Sequence, residues 1–215
     1  MSKGTEAPQP VRQAFDQQNQ ADHWARELAE AWQASAYALS SSITLDDALS
    51  VLLEQLARIV PFDSGCVFLV EGEVASIKVW QGYHDFIDPQ AISQVKFDTR
   101  DNPTVGEVIR SGEPLVIRNV QQDPRWRAMP VSAHIQSWMG LPLKVRDQVI
   151  GLLSLDRVSP EGFSDTEMLM AHAFALHAST AIQNVHMIEA EEQRSAELLA
   201  IRQAALSLTS RPCSG

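Results

Sequence analysis

Cysteine is scarce in this chain, because Cys66 and Cys213 are the only two among 215 residues. Two cysteines cannot form a disulfide scaffold or a cysteine-rich zinc site. One lies inside an apolar run and the other close to the C-terminal end, so we expect no bridge between them. This cysteine usage is typical of a reducing compartment, and we predict a cytoplasmic location.

Long apolar runs and an excess of positive charge are missing as well. No run approaches the roughly 20 apolar residues that a membrane-spanning helix needs, and residues 1–13 lack the apolar stretch of a signal peptide. Basic residues number 17 against 27 acidic ones, which gives a formal net charge of −10. Nucleic-acid binding depends on cations that replace phosphate counter-ions, and no local cluster of lysine and arginine offsets the balance. We therefore expect neither a membrane nor a nucleic acid as a partner.

The composition, 45% hydrophobic and 20% charged, is that of a globular protein, and the length suits one domain with helical extensions. Residues 1–20 are polar, which predicts a disordered N-terminal segment. Residues 21–42 are predicted to form a linker helix, whose narrow stripe at three-and-four spacing suits a dimer contact. The alternative is that this helix packs on its own domain. The stripe consists of Ala21, Trp24, Leu28, Ala31, Ser35 and Ala38.

Three further segments show helical periodicity, and two of them begin with a capping signature. Thr44 with Asp47, and Ser164 with Glu167, combine a hydroxyl N-cap with an acidic third position. The predicted helices cover residues 45–60, 104–110 and 165–188.

Five short apolar runs are predicted to be strands, and four of them pair as two hairpins across short polar turns. Residues 82–103 and 119–137, which lie between runs, contain prolines and many polar residues and are predicted to be irregular loops. The runs are Cys66–Val70, Val74–Trp80, Leu115–Ile117, Trp138–Val145 and Val149–Leu155.

Several segments, in this order and spacing, resemble the GAF domain, a sensory module of signalling proteins. The best match is SWMGLPLKVRDQVIGLLSLD at residues 137–156, in which Gly151 is the small residue after a polar turn. Supporting matches are TVGEVIRSGEP at 104–114, NVQQDP at 119–124 and GFSDTE at 162–167. The resemblance covers residues 43–188 and implies an α+β fold. The central antiparallel sheet would have five or six strands, with N- and C-terminal helices on one face and a loop-covered pocket on the other.

The resemblance also implies a function. It indicates a non-catalytic sensory or regulatory module of a bacterial signal-transduction protein, such as a sensor histidine kinase. Such a module binds a small molecule, mediates dimerisation, or does both, and relays the signal through its terminal helices. The implied partners are a second copy of the chain and a downstream kinase or other output domain. Residues 189–215 would then be a C-terminal signalling-helix linker.

A homodimer held by the first and last helices is expected from a second apolar stripe with coiled-coil spacing. Glu189 and Glu192 interrupt this stripe, and polar interruptions weaken a dimer while allowing the helices to shift register. The stripe consists of Ala175, Ala178, Ile182, Val185, Ala196 and Leu199.

Other activities of GAF-like proteins have little support in these residues. A free-methionine-sulfoxide reductase needs neighbouring thiolates, whereas Cys66 lies in a predicted buried strand. A bilin photoreceptor domain would need an attachment thiol beside His134, and Ala133 stands there instead. The helical histidines at 172, 177 and 186 are badly spaced for a shared metal. We therefore expect no catalytic residue, no cofactor and no metal, and the reductase and a degenerate photoreceptor remain the alternatives.

The pocket would lie next to the sheet, under the loops between Gly82 and Ser137. Aromatic side chains would supply its walls, with Trp80 and Trp126 near its mouth, and polar side chains would supply hydrogen-bonding groups. The alternative is that strand aromatics such as Phe68 and Trp138 simply fill the core. The net negative charge disfavours a strongly anionic ligand, although Arg125 or Arg127 could reverse this locally. The candidate lining residues are Phe68, Trp80, Phe86, Asn119, Asp123, Arg125, Trp126, His134 and Trp138.

Overall fold

The computed structural model describes residues 44–209 of the chain. The segments predicted to be a disordered N-terminus and a linker helix, residues 1–20 and 21–42, lie outside the described residues, as do the last six residues of the C-terminal linker.

The first described helix, α1 (Leu45–Ile59), begins at the predicted capping box. The Thr44 hydroxyl accepts a hydrogen bond from the Asp47 amide at 3.3 Å, and the Asp47 carboxylate accepts one from the Thr44 amide at 3.1 Å. These bonds satisfy two backbone donors that a helix start would otherwise leave unpaired. One apolar stripe of the helix is buried, and it consists of Ala48, Leu49, Leu52, Leu53 and Leu56.

A single antiparallel sheet of six strands forms the centre of the domain, as the resemblance implied. Its strands are β1 (Ser64–Glu71), β2 (Val74–Gln81), β3 (Lys96–Asp98), β4 (Leu115–Ile117), β5 (Ser137–Val145) and β6 (Gln148–Arg157). Their spatial order is β3-β2-β1-β6-β5-β4. The two predicted hairpins, β1–β2 and β5–β6, are both present, and β1 joins them by pairing with β6.

The two faces of the sheet carry separate apolar clusters. On one face Val67, Leu141 and Leu153 pack against α1 and the long C-terminal helix. On the other face Phe68, Trp138 and Leu152 lie under short elements from the segment between β2 and β5. Strand side chains alternate between the faces, so neighbouring residues of one strand serve different clusters. This is the α+β arrangement that the GAF resemblance implied, with the terminal helices on one face.

The segment 82–103 corrects one expectation, because it is more regular than an irregular loop. It contains a 3₁₀ turn (Tyr83–Asp85), a short helix α2 (Pro89–Ser93) and strand β3. Asp88 caps α2, and the fixed φ of Pro89 suits the first helical position. These elements span three to five residues each, too few to show a periodicity in the sequence. The predicted helix that follows is α3 (Pro103–Ser111).

The C-terminal helix α4 (Asp165–Thr209) has 45 residues and is therefore about 68 Å long. Its predicted capping box is present, since the Ser164 amide donates to the Glu167 carboxylate at 2.8 Å. The backbone stays helical through residues 189–194, where the apolar stripe is interrupted. Beyond Ile182, none of the described side chains of α4 is buried. Within residues 44–209, no helix combines the length and the apolar character needed to cross a membrane.

Part of the predicted dimer stripe on α4 is instead intramolecular core. Ala175, Ala178 and Ile182 are buried in the cluster that α4 forms with α1 and the sheet. A helical stripe of small apolar residues does not reveal whether its partner lies in the same chain, and here α1 and β5 occupy it. Leu199, by contrast, is 59% exposed.

Candidate functional site

A cavity lies on the face of the sheet opposite α1 and α4, where the GAF resemblance implied a pocket. It is bounded by β1, β2, β5 and β6 below and by the segment between β2 and β5 above. Its volume of about 40 Å³, measured for a water-sized sphere, would hold about three water molecules. Aromatic walls come from Phe68, Trp126 and Trp138, and a polar end comes from Ser154 and Asp156.

Three of the nine candidate residues line this cavity. The Phe68 ring contacts Phe97 edge to face, with centroids 5.4 Å apart. Trp126 and Trp138 lie 5.9 Å apart with their planes inclined at 58°. The indole N–H of Trp138 donates to the Ser154 hydroxyl at 2.8 Å, which fixes the orientation of this ring at the cavity wall.

His134 and Phe86 lie beside the cavity and form a stacked pair. Their ring centroids are 4.0 Å apart and their planes differ by 5°. The edge of this pair contacts Tyr83, whose ring centroid is 5.6 Å from that of His134. Phe86 is 40% exposed, so the stack covers the outer side of Tyr83 rather than the cavity itself.

The other candidates do not contribute to the lining. Trp80 is half-buried and packs on the apolar cluster of the same face. The Asn119 side chain accepts a hydrogen bond from the Gln121 amide at 3.0 Å, which closes a local turn. Asp123 and Arg125 form an ion pair at 2.7 Å that holds the loop in place.

Arg125 is committed to structural contacts. Its guanidinium also reaches Glu107 of α3 at 2.7 Å, so two carboxylates already neutralise it. The same hydrogen bonds from Arg125 lower the pKa of Asp123. The side chain therefore ties the loop to α3 rather than offering a positive charge to an anionic ligand.

Asp156 is the main polar group of the cavity, and sequence reasoning missed it. Its side chain is fully buried. One carboxylate oxygen, Oδ2, accepts hydrogen bonds from Ser64 at 2.9 Å and from Tyr83 at 2.6 Å. The other, Oδ1, accepts a longer bond from Ser154 at 3.3 Å. In the sequence, Asp156 is a single carboxylate directly after the apolar run of β6. A strand that ends in solvent shows the same pattern.

Burial controls the electrostatics of this network. It raises the pKa of Asp156 to about 6, although the hydrogen bonds from Tyr83, Ser64 and Ser154 oppose the shift. Burial and the Asp156 charge raise the pKa values of the Cys66 thiol and the Tyr83 hydroxyl. Cys66 is therefore a neutral thiol at neutral pH, because both effects disfavour the thiolate.

Ser64, His134 and Asp156 come together but are not arranged as a nucleophile triad. An ionised Asp156 only accepts, so Ser64 donates to it, and the His134 Nε2–H must then donate to Ser64 across their 2.8 Å contact. The serine thus lies between the histidine and the aspartate, whereas a triad needs the histidine in the middle. Ser64 is also fully buried. The arrangement positions side chains and gives no accessible nucleophile.

A metal has no evident place in the described part of the chain. Among residues 44–209, no group of three histidine, cysteine, aspartate or glutamate side chains is arranged to hold an ion. His134 contacts Ser64, and desolvation lowers the pKa of this histidine.

The antiparallel sheet, with terminal helices on one face and a covered cavity on the other, is a single α+β arrangement. The model of the GAF domain family matches residues 44–182. This chain belongs to the GAF domain family.

Curated relatives of this chain include regulatory proteins. The chain is 28% identical over 130 residues to the Nif-specific regulatory proteins of Azospirillum lipoferum and Azospirillum brasilense. The match covers 58% of this chain and 20% of each relative, so the chain spans about a fifth of their length.

Two solved structures illustrate how widely the fold is used. The GAF domain from Acinetobacter phosphoenolpyruvate-protein phosphotransferase has a TM-score of 0.63 at 21% identity, covering 79% of this chain and 95% of that one. The free methionine-R-sulfoxide reductase from Neisseria meningitidis also has a TM-score of 0.63, at 14% identity, covering 87% and 98%. At these identities the likeness shows the fold alone, and that fold occurs both in a phosphotransferase and in a reductase.

Proposed function

We propose that this chain is a non-catalytic sensory and regulatory GAF module of a cytoplasmic signal-transduction protein. It binds a small molecule in the cavity between the sheet and residues 82–137. The observation that carries the proposal is a cavity with aromatic walls and a buried polar end, built on strands whose opposite side holds α4. Pockets with mostly apolar walls and a few placed polar groups are typical of small-molecule sites.

Strand β5 contacts both the cavity and α4, and would transmit a structural change from one to the other. Trp138 of this strand lines the cavity, whereas Leu141 packs in the cluster with α4. Further along, the Lys144 amide donates to the Ser179 hydroxyl of α4 at 2.9 Å. A ligand that displaces Trp138 would therefore strain contacts between β5 and α4, and α4 would carry the change towards an output domain such as a kinase.

A reductase activity has no thiol chemistry to support it in the described residues. Thiol-dependent reduction needs an accessible thiolate and a resolving partner. Cys66 is the one cysteine between residues 44 and 209, and it is buried and held in its neutral form. Its role is that of a small core side chain.

Homodimerisation through the terminal helices is the second part of the proposal. The distal half of α4 presents large apolar side chains to solvent, and such surfaces mark association sites. The residues are Met187, Ile188, Leu198, Leu199 and Ile201, each between 51% and 67% exposed. Residues 21–42 would supply a second helix to the same contact.

Removing both terminal segments should abolish the dimer. We expect the 215-residue chain to sediment as a dimer at micromolar concentration, and a fragment of residues 44–188 to sediment as a monomer. The dissociation constant of the dimer should rise about 100-fold or more, and each tenfold rise corresponds to about 1.4 kcal/mol of binding free energy.

A matched pair of point variants separates the effect of the exposed apolar surface of α4 from the effect of shortening the helix. Leu199→Glu places a charge on the exposed apolar side chains of α4, whereas Gln193→Glu adds the same charge at an exposed polar position. Analytical ultracentrifugation should show weaker association for the first variant only. A truncated fragment that remains a dimer would refute the helical contact.

Ligand binding should raise the melting temperature of the chain in a way that depends on Trp126. For a metabolite at 100 times its dissociation constant, binding stabilises by about 2.7 kcal/mol, which is about 5–10 °C for a domain of this size. Trp126→Ala should remove the shift because this ring lines the cavity. Trp80→Ala should keep it, since Trp80 is a half-buried tryptophan of the same face that does not line the cavity.

Thermal melting against a metabolite panel is the measurement. If no compound shifts the melting temperature, or if the shift is the same in Trp126→Ala, the domain does not bind ligands in this cavity. It would then be a dimerisation module whose aromatic side chains only fill the core.

A further inference from the structure

The cavity contains a buried negative charge without a buried positive one. Asp156 is fully buried, and none of the ion pairs formed by lysine and arginine within residues 44–209 includes it. Its nearest partners, Ser64, Tyr83 and Ser154, donate hydrogen bonds but carry no charge. Burying a carboxylate is costly unless a cation neutralises it. The negative charge of Asp156 is therefore not compensated within the cavity, and a cationic ligand would neutralise it.

The walls of the same cavity suit a cation as well. Trp126, Trp138, Phe68 and Tyr83 all line it. The faces of aromatic rings carry a negative potential and attract organic cations, with tryptophan the strongest. A carboxylate at one end and aromatic faces around it are the two features by which proteins hold ammonium groups.

Asp156 also has capacity for a further donor. A carboxylate offers about four lone-pair positions. Two positions on Oδ2 are taken by Ser64 and Tyr83, while Oδ1 has only the long 3.3 Å bond from Ser154. An N–H donor could therefore bind Oδ1 without displacing an existing partner.

We propose that the cavity binds a small primary ammonium ion, with its N–H groups on Asp156 Oδ1 and its alkyl group against Trp126 and Trp138. This inference depends on the proposed function, because it names the ligand class of the same site. A cavity that holds about three water molecules fits about three non-hydrogen atoms, which is the size of ethylammonium.

A zwitterion or an anion fits less well than a simple amine. The residues that line the cavity include no lysine or arginine, so a ligand carboxylate would find no partner there and would face Asp156. Arg125, the nearest candidate from the sequence, is paired with Glu107 and Asp123.

The test compares ethylammonium chloride with ethanol, a neutral molecule of the same size, on the 215-residue chain at pH 7.5 and constant ionic strength. Tryptophan fluorescence includes the signals of Trp126 and Trp138 among five tryptophans, and thermal melting gives an independent readout. We expect saturable binding of ethylammonium at a concentration at least tenfold below that of ethanol. Equal half-saturation for the two compounds would overturn the proposal.

Two variants assign the effect to the cavity. Asp156→Asn should weaken ethylammonium at least tenfold and leave ethanol unchanged, whereas Asp147→Asn, which removes an exposed carboxylate at the β5–β6 turn, should match the wild type. Trp126→Leu keeps an apolar wall without an aromatic face, and should weaken ethylammonium several-fold even if Asp156→Asn does not fold. Unchanged ethylammonium binding in a folded Asp156→Asn, or in Trp126→Leu, would overturn the proposal.

Failure of this inference is distinguishable from failure of the proposed function. If a neutral metabolite raises the melting temperature in a Trp126-dependent way while ethylammonium has no effect, the cavity binds ligands but not ammonium ions. If neither binds, both proposals fail.

Discussion

Substituting Gly151 with alanine is expected to lower the free energy of unfolding by about 3 kcal/mol, at the upper end of the range for overpacked cores. An added Cβ would lie 2.3 Å from the carbonyl oxygen of Phe68 on the neighbouring strand β1. That oxygen belongs to the backbone of a central strand and cannot rotate away. The side chains of Leu143 and Leu69 close the remaining space at 3.2 Å each. Either β1 and β6 separate locally or the hairpin β5–β6 shifts.

Gly72→Ala is the matched control for this substitution. Gly72 lies in the turn between β1 and β2 at a φ of +64°, and an added Cβ would meet nothing within 4 Å. Its cost should be only that of a left-handed backbone, about 1 kcal/mol. Urea unfolding of the two variants compares the free-energy cost of overpacking with that of backbone strain. In thermal melting, the melting temperature of Gly151→Ala should lie about 6–12 °C below that of the wild type. A cost for Gly151→Ala equal to that of Gly72→Ala would show that the sheet absorbs the extra methyl group.

Much of this fold could be predicted from the sequence because many of its signals are local. Capping boxes at Thr44 and Ser164 and the apolar runs of the two hairpins are local signals, and the structure contains each of them. The pairing of β1 with β6 is not local, because Phe68 and Leu152 lie more than 80 residues apart in the chain. Periodicity does not predict this pairing, and the resemblance to GAF domains implied only an antiparallel sheet of five or six strands.

The cavity was harder to predict than the fold, and Asp156 shows the reason. A carboxylate after an apolar strand gives the same pattern whether it enters solvent or the core. Its burial depends on Ser64, its partner in the β1–β6 register, and on Tyr83, which follows β2. Only the assembled sheet brings these groups together. Aromatic residues were easier to select, but the sequence favours Trp80 over Trp138 as a pocket wall because Trp80 lies next to a predicted loop. The cavity is lined by Trp138 and not by Trp80, since the sequence does not show how deep each ring lies on this face of the sheet.

Replacing Asp156 with asparagine should change how stability depends on pH. The buried carboxyl has a pKa of about 6 in the folded protein, against an ordinary value of 3.8. The folded state therefore holds this proton more tightly than the unfolded state does. Its contribution to stability is fully present below pH 3.8 and is lost as the pH rises through about 6. A shift of about two pKa units corresponds to about 3 kcal/mol.

Asparagine cannot ionise, so the variant escapes this loss. Its carboxamide oxygen can still accept from Ser64 and Tyr83, and its amide group can donate to the Ser154 hydroxyl. The free energy of unfolding of Asp156→Asn minus that of the wild type should rise by about 3 kcal/mol between pH 4 and pH 7. Urea unfolding at several pH values measures this difference, in which other titrating groups cancel.

Asp98→Asn provides the control of opposite sign. Hydrogen bonds from Arg100 lower the pKa of Asp98 to about 2, so its contribution is present above the ordinary pKa of 3.8 and is lost as the pH falls towards 2. The difference between Asp98→Asn and the wild type should therefore be flat between pH 5 and pH 7, where the difference for Asp156→Asn should still rise with pH. A flat difference for Asp156→Asn over the same range would mean that the carboxyl already has a counter-charge or water in the cavity. In that case Asp156 would carry no uncompensated negative charge to favour an ammonium ligand.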